Sequence, residues 1–389
     1  MTERSSTVTR PWMESVQPRH FGHPLDVSAR RRIDRIIEGR SWMKRIFESA
    51  ERKAEDHYYV QHLADDTRLS RRQAASIFRH VEEISAIAGM QTPRVFLNTH
   101  HEVNASALGQ HNPILTLHSA LVDQFTEAQL RAVIAHELGH IKCQHTFYKV
   151  VTNKFAPIAA MAASVPGGSL IALALQWHLN DWSRKAELSA DRFGLLVTDD
   201  LETVQTMLIQ LAGGASIVGN ELSTDEFREQ AAEFRSISGD DRRPKTTMEK
   251  IEYYVTELIL NPDLKSHPWP AIRFVELEEW ACSPQYALLR EGNLVEAEKH
   301  PFQYMPDTVP DEDLDTTALD GSMAAPVLRQ AAAEVAGKWK TWSTKVSTPA
   351  TSGVQSTQQQ PAGWYPDPQQ GGQFRWWDGS SWTAHTQPK

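Results

Sequence analysis

Cysteine is nearly absent from this chain of 389 residues, which carries only Cys143 and Cys282. Two distant thiols cannot build a disulfide scaffold, fit a reducing compartment, and cannot supply a C-x-x-C metal cluster. A glycine-rich phosphate loop and a G-x-S-x-G elbow are also missing, which removes two common enzyme signatures. No internal repeat is visible. Residues 1–24 hold charges, prolines and histidines but no apolar run of the secretory kind, so the expected address is the cytoplasm. The hydrophobic share of 40% excludes a wholly disordered chain and suffices for a domain of about 250–300 residues plus extras. A net charge of −9 argues against a dedicated nucleic-acid binder. That charge is uneven, because residues 1–80 carry 16 Lys/Arg against 11 Asp/Glu, a surplus of +5 that leaves −14 for the rest. Tryptophan is uneven too: of 12, four (Trp364, Trp376, Trp377, Trp382) fall in the last 26 residues.

Hydrophobic periodicity predicts amphipathic helices over roughly 28–64 and 70–88, the first broken near Gly39. Acids interleave with the bases there, so a solvated face over a core is expected rather than a membrane surface. Short strands are expected at 94–97, 105–109 and 114–117, with Asn112-Pro113 as a turn. Thr126-Glu127-Ala128-Gln129 has the form of a capping box, which starts a helix running to about His145.

Phe155 to Trp177 is a run of 23 residues without formal charge, long enough by count to span a bilayer. Pro157 and Pro166-Gly167-Gly168 interrupt it, leaving two short arms. A helical hairpin packed in the core is expected; membrane insertion, with the active site on the cytoplasmic side, is the alternative. The second arm should continue as a helix over 170–196, followed by helices at 201–213, 224–236, 247–259, 270–281 and 284–298. Residues 301–362, acidic and then rich in Ser, Thr, Gln and Pro, read as a linker. The expected division is 1–90, an N-terminal helical region; 91–300, the core; 301–362, the linker; and 363–389, a Trp-rich module.

The chemistry lies in His136-Glu137-Leu138-Gly139-His140. Leu130, Val133, Ile134, Leu138 and Ile141 make this segment helical, so His136 and His140 share one face on adjacent turns, with Cβ atoms about 5–6 Å apart. Both imidazoles can then reach one Zn²⁺ at about 2.0–2.1 Å. Glu137, rotated by one residue, misses the metal and can meet a metal-activated water. A catalytic zinc site normally has three protein ligands, and Glu187, 47 residues after His140, is the candidate third. Asp191 follows one turn later, where its carboxylate can accept the free ring N–H of a ligand histidine.

These stretches resemble the HtpX and CAAX-prenyl-protease group of gluzincin zinc metallopeptidases over roughly residues 90–290. Besides the two segments above, Asn104-Ala105-Ser106-Ala107-Leu108-Gly109 resembles that group's Asn-Ala edge-strand motif, and His267-Pro268 with Arg273 resembles its downstream His-Pro and Arg motif. The resemblance implies an α+β, predominantly helical fold with a zincin-like core and a small edge sheet. It implies that Asn104 and Ala105 bind substrate backbone, that His267 donates to the oxyanion or substrate carbonyl, and that Arg273 organises the zinc carboxylate. One Zn²⁺ per chain and a polypeptide substrate follow, with Glu137 as the base. The interrupted hairpin departs from the flanking membrane helices of that group, so prenyl-protein processing in a membrane chamber is not expected. The absence of a Gly-x-Met-Glu-Asn exopeptidase signature favours internal cleavage, and misfolded or exposed polypeptides are the expected substrates.

Cys143 shares the face of His136 and His140 but stands a turn beyond, so it reads as a small core residue. His100, His101, His111, His118, His145 and His178 show no second ligand spacing beside suitable carboxylates and read as ordinary. At the C-terminus, Asp378-Gly379 signals a hairpin between aromatic runs. The stretch 363–385 resembles a short actinobacterial domain of unknown function, with a WW domain as the alternative and a protein partner as its implied use. The competing reading of the whole chain is a non-catalytic, zinc-stabilised interaction protein recruited through that tail. Glu137 favours the enzyme, since structural zinc has no need of that carboxylate.

Overall fold

The computed structural model describes residues 10–38, 41–153, 168–213, 221–237, 267, 269–303, 363–366, 373–377 and 381–388. The chain divides into two units, Met1–Val335 and Ala336–Lys389.

Prolines open the first unit. A 3₁₀ turn (Pro11–Ser15), α1 (Pro18–Phe21) and α2 (Pro24–Glu38) each begin on one, where its fixed φ suits the first helical turn and its missing N–H costs nothing. The short elements seat Met13, Val16 and Phe21 in the main core, with the Phe21 ring centroid 5.5 Å from that of Phe193. On α2, Ile33 and Ile37 are buried beside Tyr148, Leu175, Leu179 and Trp182. This basic amphipathic helix therefore turns its apolar stripe to protein. The long helix expected over 28–64 is α2 followed by α3 (Ser41–Asp65); the break expected at Gly39 lies outside the described residues.

The helix expected from residue 70 begins only at Ala75 (α4, Ala75–Ile87). A bridge between Ser70 and Gln73 occupies the chain before it, and Ala74 is left-handed at φ 50. The expected strands form as β2 (Arg94–Asn98), β3 (Ala105–Leu108) and β4 (Ile114–His118), joined by a two-residue β1 (Thr67–Arg68). The sheet order is β1-β2-β4-β3; β2 and β4 are parallel, and the outer strands are antiparallel to their neighbours. This order leaves β3 at one margin, beside the zinc-motif helix.

After a short α5 (Ser119–Gln124), α6 (Glu127–Lys142) starts at the predicted capping box. Thr126 Oγ1 accepts from the Gln129 backbone N–H at 3.2 Å, and Gln129 Oε1 accepts from that of Thr126 at 3.1 Å. The helix does not reach His145. Gln144 is left-handed at φ 61, and α7 (His145–Asn153) starts afresh on a new axis. Next come α8 (Gly168–Thr198), α9 (Leu201–Gly213), α10 (Thr224–Ile237) and α11 (Pro270–Ala281). The single helix expected over 284–298 is two, α12 (Pro284–Arg290) and α13 (Leu294–Lys299). Gly292 separates them at φ 75, where a Cβ would stand 2.7 Å from the Trp12 ring. The expected helix 247–259, most of the 155–177 hairpin and the linker from 304 to 362 lie outside the described residues. Among the described residues, no helix is long and apolar enough to cross a membrane.

The core is organised by α6 lying along α8. Gly139 permits that approach, since a Cβ there would meet Phe193 Cβ at 3.0 Å and the Ala190 backbone at 3.2 Å. Gly139→Ala should cost about 1–3 kcal/mol by forcing two helices apart, although alanine is the better helix former. Urea unfolding checks this, and a stabilised variant would contradict the packing argument.

His23 is wholly buried between α1 and α2. Its N–H donates to Ser189 Oγ at 2.9 Å, and its Nε2 lies 3.3 Å from Glu276 Oε2. Burial, and then the charge of Arg192, pull its pKa down to about 4 despite Glu276. Between that value and the unfolded value of about 6.5, only the unfolded chain takes up the proton, so stability is lost as pH falls. Stability should drop by about 2 kcal/mol between pH 7 and pH 5 through this group. His23→Asn should show a correspondingly flatter dependence in urea unfolding at the two pH values.

In the second unit, β5 (Gly363–Pro366), β6 (Gln373–Trp377) and β7 (Trp382–Pro388) form an antiparallel sheet in that order. The expected turn at Asp378-Gly379 lies outside the described residues.

Candidate metal and active site

The capping box sets the phase of α6, and that phase turns His136 and His140 toward α8. There Glu187 and Asp191 project from consecutive turns. All four side chains are buried, as is Glu137. His136 Nε2 and His140 Nε2 are 3.2 Å apart. Glu187 completes a triangle, with Oε2 at 3.3 Å from the first nitrogen and Oε1 at 3.2 Å from the second. A tetrahedral zinc with bonds of about 2.0–2.1 Å holds its donors about 3.3 Å apart. The two nitrogens stand at that spacing from each other, and each stands at it from one oxygen of Glu187.

The outer nitrogens sharpen the fit. His136 Nδ1 lies 2.9 Å from Asp191 Oδ1, and a carboxylate only accepts, so His136 carries its proton on Nδ1. Its Nε2 therefore presents a lone pair to the nitrogen of His140, an arrangement that a cation between them would relieve. Burial disfavours a charge on His136, but Asp191 and Glu187 outweigh burial and lift its pKa to about 9. Burial and the nearby Lys149 push His140 the other way, well below the usual range. Burial would raise Glu187 too, but His267, His140 and Arg273 hold it well below the carboxylate range.

Neither oxygen of Glu137 has a hydrogen-bond partner among the described residues. Its Oε1 lies 3.4 Å from His267 Nε2 and 4.0 Å from His136 Nε2. A buried, unsolvated carboxylate one residue off the metal-facing side is costly unless something uses it. His136, Glu137, His140 and His267 each bring one ligand-capable atom within 4.8 Å of the others.

The remaining residues singled out in the sequence converge here too. Arg273, on α11, donates from Nε and Nη2 to the two oxygens of Asp191, both at 2.7 Å, and its Nη1 lies 3.1 Å from Glu187 Oε2. Those carboxylates raise its pKa, although burial opposes them. His267 Nδ1 stands 2.8 Å from Glu187 Oε2, and its Nε2 donates to the Ala105 carbonyl at 3.1 Å. It thus bridges the site to marginal strand β3, at the place where a substrate carbonyl was expected. Asn104, just before β3, accepts at its backbone oxygen from the His118 N–H at 3.1 Å, and its Oδ1 accepts from the N–H of Ala105. Cys143 is buried in the main core, where burial pushes its thiol pKa well up.

Four histidines read as ordinary, His145, His100, His118 and His111, have company. His145 Nδ1 lies 2.9 Å from His140 Nδ1, and its Nε2 is 3.0 Å from Asp26 Oδ2. No spacing rule reaches His145, because the left-handed Gln144 folds the chain back on the helix end. His100, Glu102 and His118 form a second group with ligand-capable atoms within 4.8 Å, assembled by pairing of β2 with β4 rather than by sequence interval. His111 forms a third with Glu51 and Glu55, whose carboxylate accepts from the N–H groups of Gln110 and His111 at 2.6 and 2.9 Å.

Comparison with known proteins identifies two regions of the chain. The model of peptidase family M48 matches residues 71–281, just over half of the chain, and that of a protein of unknown function, DUF2510, matches 362–389. The chain is 31% identical over 239 residues to the plastoglobule-localized metallopeptidase 48 of Arabidopsis thaliana, covering 60% of this chain and 65% of the relative. It is 32% identical over 151 residues to a protease HtpX homolog of Syntrophobacter fumaroxidans, covering 37% and 50% respectively. A homolog from Nostoc sp. is 26% identical over 202 residues, covering 51% and 65%. The chain thus spans between half and about two thirds of the length of these relatives. No solved structure matches it.

Proposed function

The chain belongs to peptidase family M48, and from that premise we propose that it is a zinc-dependent metalloendopeptidase acting on exposed or misfolded polypeptide. The observation that carries the proposal is the grouping of His136 Nε2, His140 Nε2 and the Glu187 carboxylate: the nitrogens are 3.2 Å apart, Oε2 is 3.3 Å from the first and Oε1 3.2 Å from the second, with Glu137 beside them. His136, His140 and Glu187 would hold the metal. Glu187 is preferred over His267 as third ligand because its oxygens face both nitrogens, whereas the His267 ring centroid is 5.3 and 6.4 Å from those of His136 and His140. Once bound, Zn²⁺ would supply a polarised scissile carbonyl and a water acidic enough to lose its proton near neutral pH.

The chain's own residues do the rest. Glu137 takes the proton at a carboxylate oxygen and delivers it to the leaving amine. His267 exchanges the Ala105 carbonyl for that of the substrate and donates to the developing oxyanion. Arg273 keeps Asp191 and Glu187 ionised, and Asp191 keeps the His136 proton on Nδ1. Asn104 and Ala105 begin the strand along which a substrate backbone would pair. A cytoplasmic location, a protein partner for the Trp-rich module and the division at residues 90, 300 and 362 belong to the same proposal.

Fragments of casein released by the full chain with zinc test the endopeptidase reading by mass spectrometry. Internal cuts are expected; trimming of single residues from one terminus would contradict it.

A further inference from the structure

The residues outside the zinc triangle contain one continuous chain of buried polar contacts that leads into it. It starts on α2, before residue 71 where the M48 match begins. Asp26 is 5% exposed, and its Oδ1 accepts from Trp182 Nε1–H at 2.9 Å. Its Oδ2 accepts from Ser189 Oγ at 2.6 Å and lies 3.0 Å from His145 Nε2. His145 Nδ1 then faces His140 Nδ1 at 2.9 Å, and His140 Nε2 belongs to the triangle. The same helix also fixes the turn that makes this reach possible. Arg30 Nη1 donates to the Cys143 carbonyl at 2.9 Å and Nη2 to Gln144 Oε1 at 3.0 Å, at the end of α6.

Donor and acceptor roles run one way along this chain. An ionised carboxylate only accepts, so His145 must donate from Nε2. With that proton on Nε2, a neutral His145 has a lone pair on Nδ1, which only a donor on His140 Nδ1 can satisfy. His140 then carries its proton on Nδ1 and has a lone pair on Nε2, on the metal side. A doubly protonated His145 would reverse the last step and put a proton on His140 Nε2, where the metal must bind. The two ligand histidines are thus oriented differently. His136 has Asp191 directly, whereas among the described residues His140 has this longer connection.

We infer that Asp26 and His145 are positioning residues that hold His140 in its metal-binding tautomer, so that the N-terminal segment is part of the zinc site. This inference rests on the zinc-site reading proposed above, but not on the reaction performed there. Loss of an acceptor behind a ligand histidine typically costs about 10–100-fold in metal affinity.

The test is zinc affinity of the full chain, measured by competition with a chromophoric chelator, with circular dichroism to verify folding. Asp26→Asn should bind zinc about 10–100-fold more weakly, because its amide opposes either His145 Nε2–H or Trp182 Nε1–H with a second donor. Adding Trp182→Phe removes the indole donor, lets the amide turn its oxygen to His145, and should restore most of the affinity. A purely structural role for Asp26 predicts the reverse, since a second core substitution would only add damage. His145→Phe, close in volume but without an acceptor, should lose a similar factor and should not be rescued by Trp182→Phe; it carries the test if Asp26→Asn does not fold. Wild-type affinity in folded Asp26→Asn or folded His145→Phe overturns the inference, as does a double variant weaker than Asp26→Asn. The expected affinities alongside a wild-type chain that cleaves nothing would support the positioning role while refuting the peptidase reading.

Discussion

Glu137→Gln should lower kcat by about 10³-fold while the chain keeps its zinc. General-base catalysis contributes typically about 10²–10⁴, and the amide cannot take a proton. Zinc is retained because Glu137 Oε1 lies 4.0 Å from His136 Nε2, outside the 3.2–3.3 Å triangle. The substitution also leaves packing intact, since glutamine matches glutamate in shape and both carboxylate oxygens lack protein partners among the described residues. KM should change little, because the lost interaction belongs to the transition state. Turnover of a fluorogenic casein, read beside the zinc content of the same samples, separates these effects. A variant within a few-fold of wild type would remove Glu137 from its role.

Arg273→Leu should be the most destabilising single change at the site. The guanidinium is 1% exposed and pairs with Asp191 through two bonds and with Glu187 through a third contact at 3.1 Å. Its removal leaves Asp191 with His136 as its partner among the described residues and takes one cation from Glu187, and breaking a buried pair on one side costs about 3–5 kcal/mol. Zinc should soften the loss, because a cation at the triangle compensates Glu187. Urea unfolding with zinc and with chelator should therefore show a larger penalty for the metal-free chain. Arg273→Lys should recover little, since a point charge cannot span both oxygens of Asp191. Equal penalties under the two conditions would argue that Arg273 supports only the fold.

Much of this site was legible in the sequence because local rules carry it. The capping box at Thr126 and the i, i+4 spacing of His136 and His140 are set within one helix. Glu187 and Asp191 needed one assumption, that a helix with two ligands seeks a third. What was not legible depends on the chain returning to itself. Gln144 at φ 61 ends α6 and starts α7, so His145 faces backward to His140 instead of continuing the helix. Asp26 is separated from His145 by 119 positions, a contact that periodicity cannot reach. His100 and His118 meet because β2 and β4 are parallel neighbours, a pairing that skips the intervening strand. Periodicity overruns a helix end where tertiary contact decides, as at Gly292, whose left-handed turn makes room for Trp12.

The central claim is that one zinc, held by His136, His140 and Glu187, makes this chain a peptidase. The most direct measurement is casein turnover by the full chain, stripped of metal and titrated with zinc, with bound metal counted in parallel. Activity should be absent at the start, rise with zinc, level off at one bound ion per chain and vanish on chelation. Turnover that persists in the stripped chain, or none at one bound zinc, would contradict the account.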